Sequence, residues 1–151
     1  MEKSVVNTEK LGPPVGPYAH AVKVKGGSLL FISGTVGMDK EGKVPIGYEA
    51  QCRLAYENLR AVLEAAGTNF NHVLKLTNYI KEGYVDQYPI MAKIRREYFR
   101  DKAHYPASTL VEVKGLLYPE LLLEIEAVAV VEDESPSGSG ARPPRGQRMK
   151  R

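Results

Sequence analysis

The sharpest chemical signal in this 151-residue chain is a pair of carboxylates. In Leu123-Glu124-Ile125-Glu126-Ala127-Val128-Ala129 the glutamates stand two residues apart. On an extended strand that spacing points both to one face and sends Leu123, Ile125, Ala127 and Ala129 to the other. Carboxylates on so apolar a strand are costly unless they are solvated, paired or used, and a carboxylate in use is an acid–base group. Other chemistries lack their residues. His20, His72 and His104 are scattered, with no His/Cys/carboxylate spacing of a zinc or iron site. Ser33-Gly34-Thr35-Val36-Gly37 has neither the lysine nor the spacing of a nucleotide loop. Cys52 falls on an apolar helical stripe, where a small buried thiol is expected and not a nucleophile. Of the histidines, His20 has the best claim to a site, because it follows Gly16-Pro17-Tyr18 closely.

The elements that must position these residues follow from hydrophobic periodicity. Residues 19–24 and 29–33 are β-prone runs joined by Lys25-Gly26-Gly27-Ser28, which reads as a hairpin. Residues 48–66 carry Cys52, Ala55, Leu59, Val62 and Ala66 at helical spacing, with Gly67 placed to cap the end. Residues 73–80 alternate, with Leu74, Leu76 and Ile80 on one face and Lys75, Thr77 and Tyr79 on the other. A second helix over 88–99 tolerates Pro89 in its first turn and has Ile90, Met91, Ile94 and Tyr98 as its stripe. Strands over 109–113 and 121–131 close the pattern, and the first ten residues read as irregular. The order β-β-α-β-α-β-β predicts an α+β domain, a mixed sheet with both helices on one face. The other face of the last strand would carry Leu122, Val128 and Val130 beside the glutamates, an apolar patch that predicts association of copies.

Composition sets the bounds. With 43% apolar and 26% charged residues, 14 Gly and 10 Pro, the chain has the profile of a soluble globular protein, and its length suits one domain. One cysteine excludes an intramolecular disulfide. No apolar run approaches eighteen residues, and Met1-Glu2-Lys3-Ser4 leads into nothing like a signal sequence, so a cytoplasmic location without membrane contact is expected. The domain is expected over 1–131. Residues 132–151, which include Ser135-Pro136-Ser137-Gly138-Ser139-Gly140, read as a disordered basic tail. Five of the Lys and Arg residues and three of the Asp and Glu residues fall in that tail, so the formal charge of +3 reduces to +1 over 1–131. A body so nearly neutral does not announce a phosphate-binding surface.

Three stretches together resemble the Rid family, also called YjgF: Gly16-Pro17-Tyr18, Phe31-Ile32-Ser33-Gly34, and Tyr105-Pro106-Ala107-Ser108-Thr109-Leu110-Val111-Glu112-Val113 followed by the Glu124-Ile125-Glu126 strand. The resemblance covers about residues 10–131 with the order of elements kept. It implies a chorismate-mutase-like α+β fold and a homotrimer whose sheets form an inner barrel with helices outside. Small-molecule clefts would lie between subunits, and no cofactor is implied. It also implies imine and enamine deamination, with Glu124 deprotonating the water that attacks the C=N carbon and Tyr18 and Ser33 lining the cleft. Ser108, Thr109, Leu110, Thr35 and His20 are its expected substrate contacts.

One departure bears on the substrate. Where imine deaminases of the family read Pro-Ala-Arg-Ser, with the arginine clamping a carboxylate, this chain reads Pro106-Ala107-Ser108-Thr109. A neutral hydrogen bond in place of a charged fork forfeits roughly 1.5–3 kcal/mol of binding. The expected substrate is therefore not a simple 2-imino acid. Thr35 and Ala92 depart too, standing where the family commonly has Gln and Asn. Two further readings stay open at this level: a non-catalytic ligand-binding trimer, and an endoribonuclease or translation inhibitor, which the near-neutral body and the lack of paired histidines weaken.

Overall fold

The computed structural model describes residues 1–134. In chain order the elements are β1 (Glu2–Val6), β2 (Ala21–Lys25), β3 (Ser28–Val36), α1 (Tyr48–Ala65), β4 (Val73–Lys81), α2 (Tyr88–Tyr98), β5 (Ala107–Val113) and β6 (Leu123–Val131), with short 3-10 turns before β4, α2 and β5. The expected α+β organisation is present. A four-stranded mixed sheet has the order β3-β6-β4-β5, in which only β4 and β5 run parallel.

The amino terminus corrects two expectations. Residues 2–6 are not irregular: β1 pairs antiparallel with β2, from Glu2 opposite Lys25 to Val6 opposite Ala21. The Lys3 ammonium donates to the carbonyls of Asn71, Val73 and His104 at 3.0, 2.7 and 2.7 Å, which ties β1 to the main body. The expected hairpin ladder between β2 and β3 is absent. Gly26 and Gly27 turn the chain at φ 73° and 81°, but β2 pairs back with β1 while β3 pairs with β6. Turn chemistry reverses a chain; it does not choose the strand's partner.

Both helices share one core with Leu123, Ile125, Ala127 and Ala129 of β6. The α1 stripe is Tyr48, Gln51, Cys52, Ala55, Tyr56, Leu59 and Leu63; Val62, expected inside, is 41% exposed, and Leu63 takes its place. On β4 a bulge between Val73 and Lys75 turns Leu74 half outward, so Val73, Leu76, Asn78 and Ile80 face the helices. Leu122 and Val130 are buried within the chain and not on an exposed patch; a side chain on Gly27 would collide with Val130, which marks the β2–β3 turn as its cover. The exposed apolar residues of the open sheet face are instead Leu29, Phe31 and Val111, with Phe31 74% accessible. Gln51 accepts from the Leu122 amide (2.9 Å) and donates to the carbonyls of Pro45 and Glu120, which fixes the start of β6 against α1. Residues 135–151, most of the expected tail, lie outside the described residues; Glu132–Glu134 follow β6 without regular structure. Among the described residues no helix is long and apolar enough to cross a membrane.

Candidate active site

Alternation along β6 places Glu124 and Glu126 on the open face, as expected. Glu124 stands opposite Val36 of β3 and Tyr79 of β4. Its carboxylate lies against Gly34, where any Cβ would overlap Oε1, so the glycine is what admits the acid to the backbone of β3. The register of β3 shifts between Ile32 and Thr35, the bulge that holds Ser33 and Gly34, and the Thr35 hydroxyl donates to the Ser33 carbonyl at 3.1 Å. Glu126 accepts from the Tyr79 hydroxyl (3.2 Å), a bond to the carboxylate that pushes the phenol's pKa up. Phe31, Ser33, Lys75, Thr77, Glu126 and Val128 border a recess of about 320 Å³. Among the described residues neither glutamate has an ion-pair partner.

A second group forms at the far edge of the sheet. The Ala19 amide donates to the Pro106 carbonyl (2.9 Å) and Ala19 bridges to Ala107, which brings Tyr18 alongside β5. Tyr18, Ser108 and Leu110 line a recess of about 370 Å³ with Val15, Val85 and Tyr88. The Ser108 Oγ accepts from Asn78 Nδ2 (3.0 Å) and from the Arg95 guanidinium (3.1 Å). Arg95 is fully buried, and its other contacts go to the Tyr56 hydroxyl, Asn78 Oδ1 and Met91 Sδ. Sequence reasoning missed Arg95 and Asn78. The available signal was position: Arg95 sits four residues after Met91, on the buried side of α2.

The expected site residues therefore separate. Ser33, Thr35 and Glu124 belong to the β3–β6 side, and Tyr18, Ser108 and Leu110 to the β5 edge. Thr109, adjacent to Ser108, points to the opposite face and accepts from Lys75 Nζ at 2.6 Å. His20 is engaged by the N-terminal loop: the Thr8 amide donates to Nδ1 (3.1 Å), so Nε2 carries the hydrogen given to the Gly12 carbonyl (2.9 Å). Cys52 is buried, and desolvation pushes its thiol up to about 12. Among the described residues no three His, Cys, Asp or Glu side chains gather in a metal-binding cluster.

A family model described as Endoribonuclease L-PSP matches residues 9–131. A RutC family protein of Pyrococcus abyssi is 37% identical over 134 residues, covering 87% of this chain and all of the relative. Escherichia coli TdcF, whose name proposes a reactive intermediate deaminase, is 30% identical over 85% of this chain and 97% of its own; it has been solved with bound serine, with a TM-score of 0.63. A Rid family protein from Yersinia pestis, of unknown function, superimposes with a TM-score of 0.79 at 31% identity, covering 87% of this chain and all of that one.

Proposed function

Because the chain belongs to the Endoribonuclease L-PSP family, the Rid family its motifs resemble, we propose that it is a cofactor-independent imine or enamine deaminase that works as a homotrimer, its inner barrel formed by the open sheet faces. Water adds to the C=N carbon while Glu124 takes one of its protons and delivers it to nitrogen. In the adduct the hydroxyl proton then passes by way of Glu124 to the amine nitrogen, the C–N bond breaks, and C=O forms as ammonia leaves. Tyr18 and Ser33 orient the water and the departing amine.

The observation that carries this reading is the separation of the site into two halves on opposite sides of one sheet. β4 lies between β6 and β5, so Ser33 on β3 is three strand spacings, roughly 14 Å, from Ser108 on β5. One small molecule cannot bridge them within a copy. Association of copies along the exposed Phe31 face would bring the β3–β6 half of one copy to the β5 edge of the next, with Glu124 facing Tyr18 and Ser108 across the junction. Glu124→Gln keeps size and hydrogen bonding and removes the base. With a substrate found by an ammonia-release screen of imines and enamines, it should lower turnover about 100-fold or more at unchanged mass and melting temperature. Near-parental turnover in that variant would exclude Glu124 as the base.

A further inference from the structure

His20 closes the chain into a loop around Tyr18. Its own amide donates to Asn7 Oδ1 (2.9 Å), its Nδ1 accepts from the Thr8 amide (3.1 Å), and its Nε2 donates to the carbonyl of Gly12 (2.9 Å), eight residues back along the chain. The two ring bonds fix the charge of the ring as well as its tautomer. A backbone amide only donates, so Nδ1 carries no hydrogen, and an imidazole with one bare nitrogen is neutral.

The grip on Gly12 reaches Tyr18 through a stiff stretch of chain. Pro13 and Pro14 have fixed φ, and Pro13 also restricts the residue before it, so a carbonyl pinned at Gly12 sets the course of the chain as far as Val15. The Val15 amide donates to the Tyr18 hydroxyl (3.3 Å), and the Tyr18 amide donates to the Gly16 carbonyl (2.9 Å). Gly16 lies against the Tyr88 hydroxyl, with no room there for a Cβ. Val15 and Tyr18 both line the recess at the β5 edge, and a phenol oxygen that accepts from Val15 keeps its own proton for that recess.

A proton added to the ring would place an N–H at Nδ1 against the N–H of Thr8, two donors facing each other across a 3.1 Å contact. The bond from Nε2 does not suffer directly, but the ring is rigid, and turning Nδ1 away from Thr8 moves Nε2 off Gly12. The ring is half-buried, so solvent protons reach it. Glu9 and Lys10 are the charged side chains of the clasped loop, and Glu9 borders the same space as the ring, the charge that an imidazolium leaving the clasp would meet. The residues paired alongside, Val6 with Ala21 and Ala19 with Ala107, are uncharged.

We propose that neutral His20 is the positioning residue for Tyr18, and that a proton on its ring opens the clasp and releases Tyr18 from the recess, so that the site is set near neutral pH and loosened in acid. This deepens the proposed function by naming what holds one of its cleft residues, and only the turnover measurement below rests on that reading.

Amide NMR of the full chain, titrated from about pH 8 to about pH 5 across the range in which imidazoles take up a proton, reads the clasp without a substrate. Thr8 and Gly12 should move with one midpoint, Val15 and Tyr18 should share it, and protection of the Thr8 amide against exchange should fall about tenfold below it. His20→Gln, whose side chain accepts and donates but does not titrate, should remove the step at all four residues together. With a substrate from the ammonia-release screen, the ratio of turnover at about pH 7.5 to that at about pH 5.5 should be about fivefold larger in the parent than in His20→Gln, a difference that a merely structural role would not produce. A Thr8 step that Val15 and Tyr18 do not share overturns the proposal. So does a shared step that persists in His20→Gln, the absence of any step at Thr8, or equal turnover ratios in parent and variant. Should the shared step be present while Glu124→Gln retains turnover, the deaminase mechanism fails and the clasp stands.

Discussion

At the level of single residues, the hydroxyl of Ser108 is backed by a buried charge, the Arg95 guanidinium. Ser108 occupies the position where the family's imine deaminases present arginine, yet a guanidinium sits 3.1 Å behind it, contributed by α2. Restoring the arginine is therefore not a simple gain. In Ser108→Arg the new guanidinium would enter beside Arg95 and remove an acceptor that Arg95 uses, and like charges that share a poorly solvated place repel. The expected outcome is a melting temperature lower by about 5 °C or more, recovered at least in part in the Ser108→Arg, Arg95→Gln double variant. Thermal melts of the parent, the single and the double variant check this. A single variant as stable as the parent would show that the fold tolerates both cations.

Among the elements, β1 is held by few contacts. Its ladder joins only β2, and Lys3 anchors it to carbonyls just before and at the start of β4 and just before β5. Lys3→Met should cost about 2 kcal/mol, since three carbonyls lose a charged donor, and so lower the melting temperature by roughly 4–8 °C. Burial also pushes the Lys3 ammonium down to about 8, against roughly 10.4 in an unfolded chain. Between those values the unfolded state binds more protons than the folded state, so rising pH favours the folded state through this group. The melting-temperature gap between parent and Lys3→Met should therefore widen from about pH 7.5 to pH 10. A gap that closes instead would mean that the three carbonyls need the charged ammonium more than burial disfavours it.

For the whole molecule, the sheet is the unit that matters. One face is covered by α1 and α2, and the other carries Phe31, Val111 and the two glutamates without a cover from the same chain. A large aromatic ring 74% accessible in the middle of a strand is the feature that the proposed association of copies would cover. If the proposed trimer uses it, light scattering should give a mass near three times 16.7 kDa. Phe31→Glu should shift that mass toward a single chain and remove turnover in the same concentration range, because each site would lose half of its residues. A variant that stays trimeric and active would place the contact elsewhere.

Much of this was legible in the sequence because it is written in local periodicity. The helix expected over 48–66 is Tyr48–Ala65, and the alternation around Glu124 and Glu126 fixed their shared face. The opposite directions of Ser108 and Thr109 were available from adjacency alone, since neighbouring residues of a strand face apart. What the sequence could not determine were pairings between distant segments. A run as short as residues 2–6 earns its strand from β2, nineteen residues from its start, and the glycines at 26 and 27 could not say which sheet their strands would join. Arg95 is the clearest case. A charged residue in a helical stripe reads as a solvated one, and only the tertiary structure brings Tyr56 from α1, Asn78 from β4 and Ser108 from β5 around it. A buried charge is tolerated where neutral acceptors converge on it, and that convergence is a property of the assembled fold that no local window of residues contains.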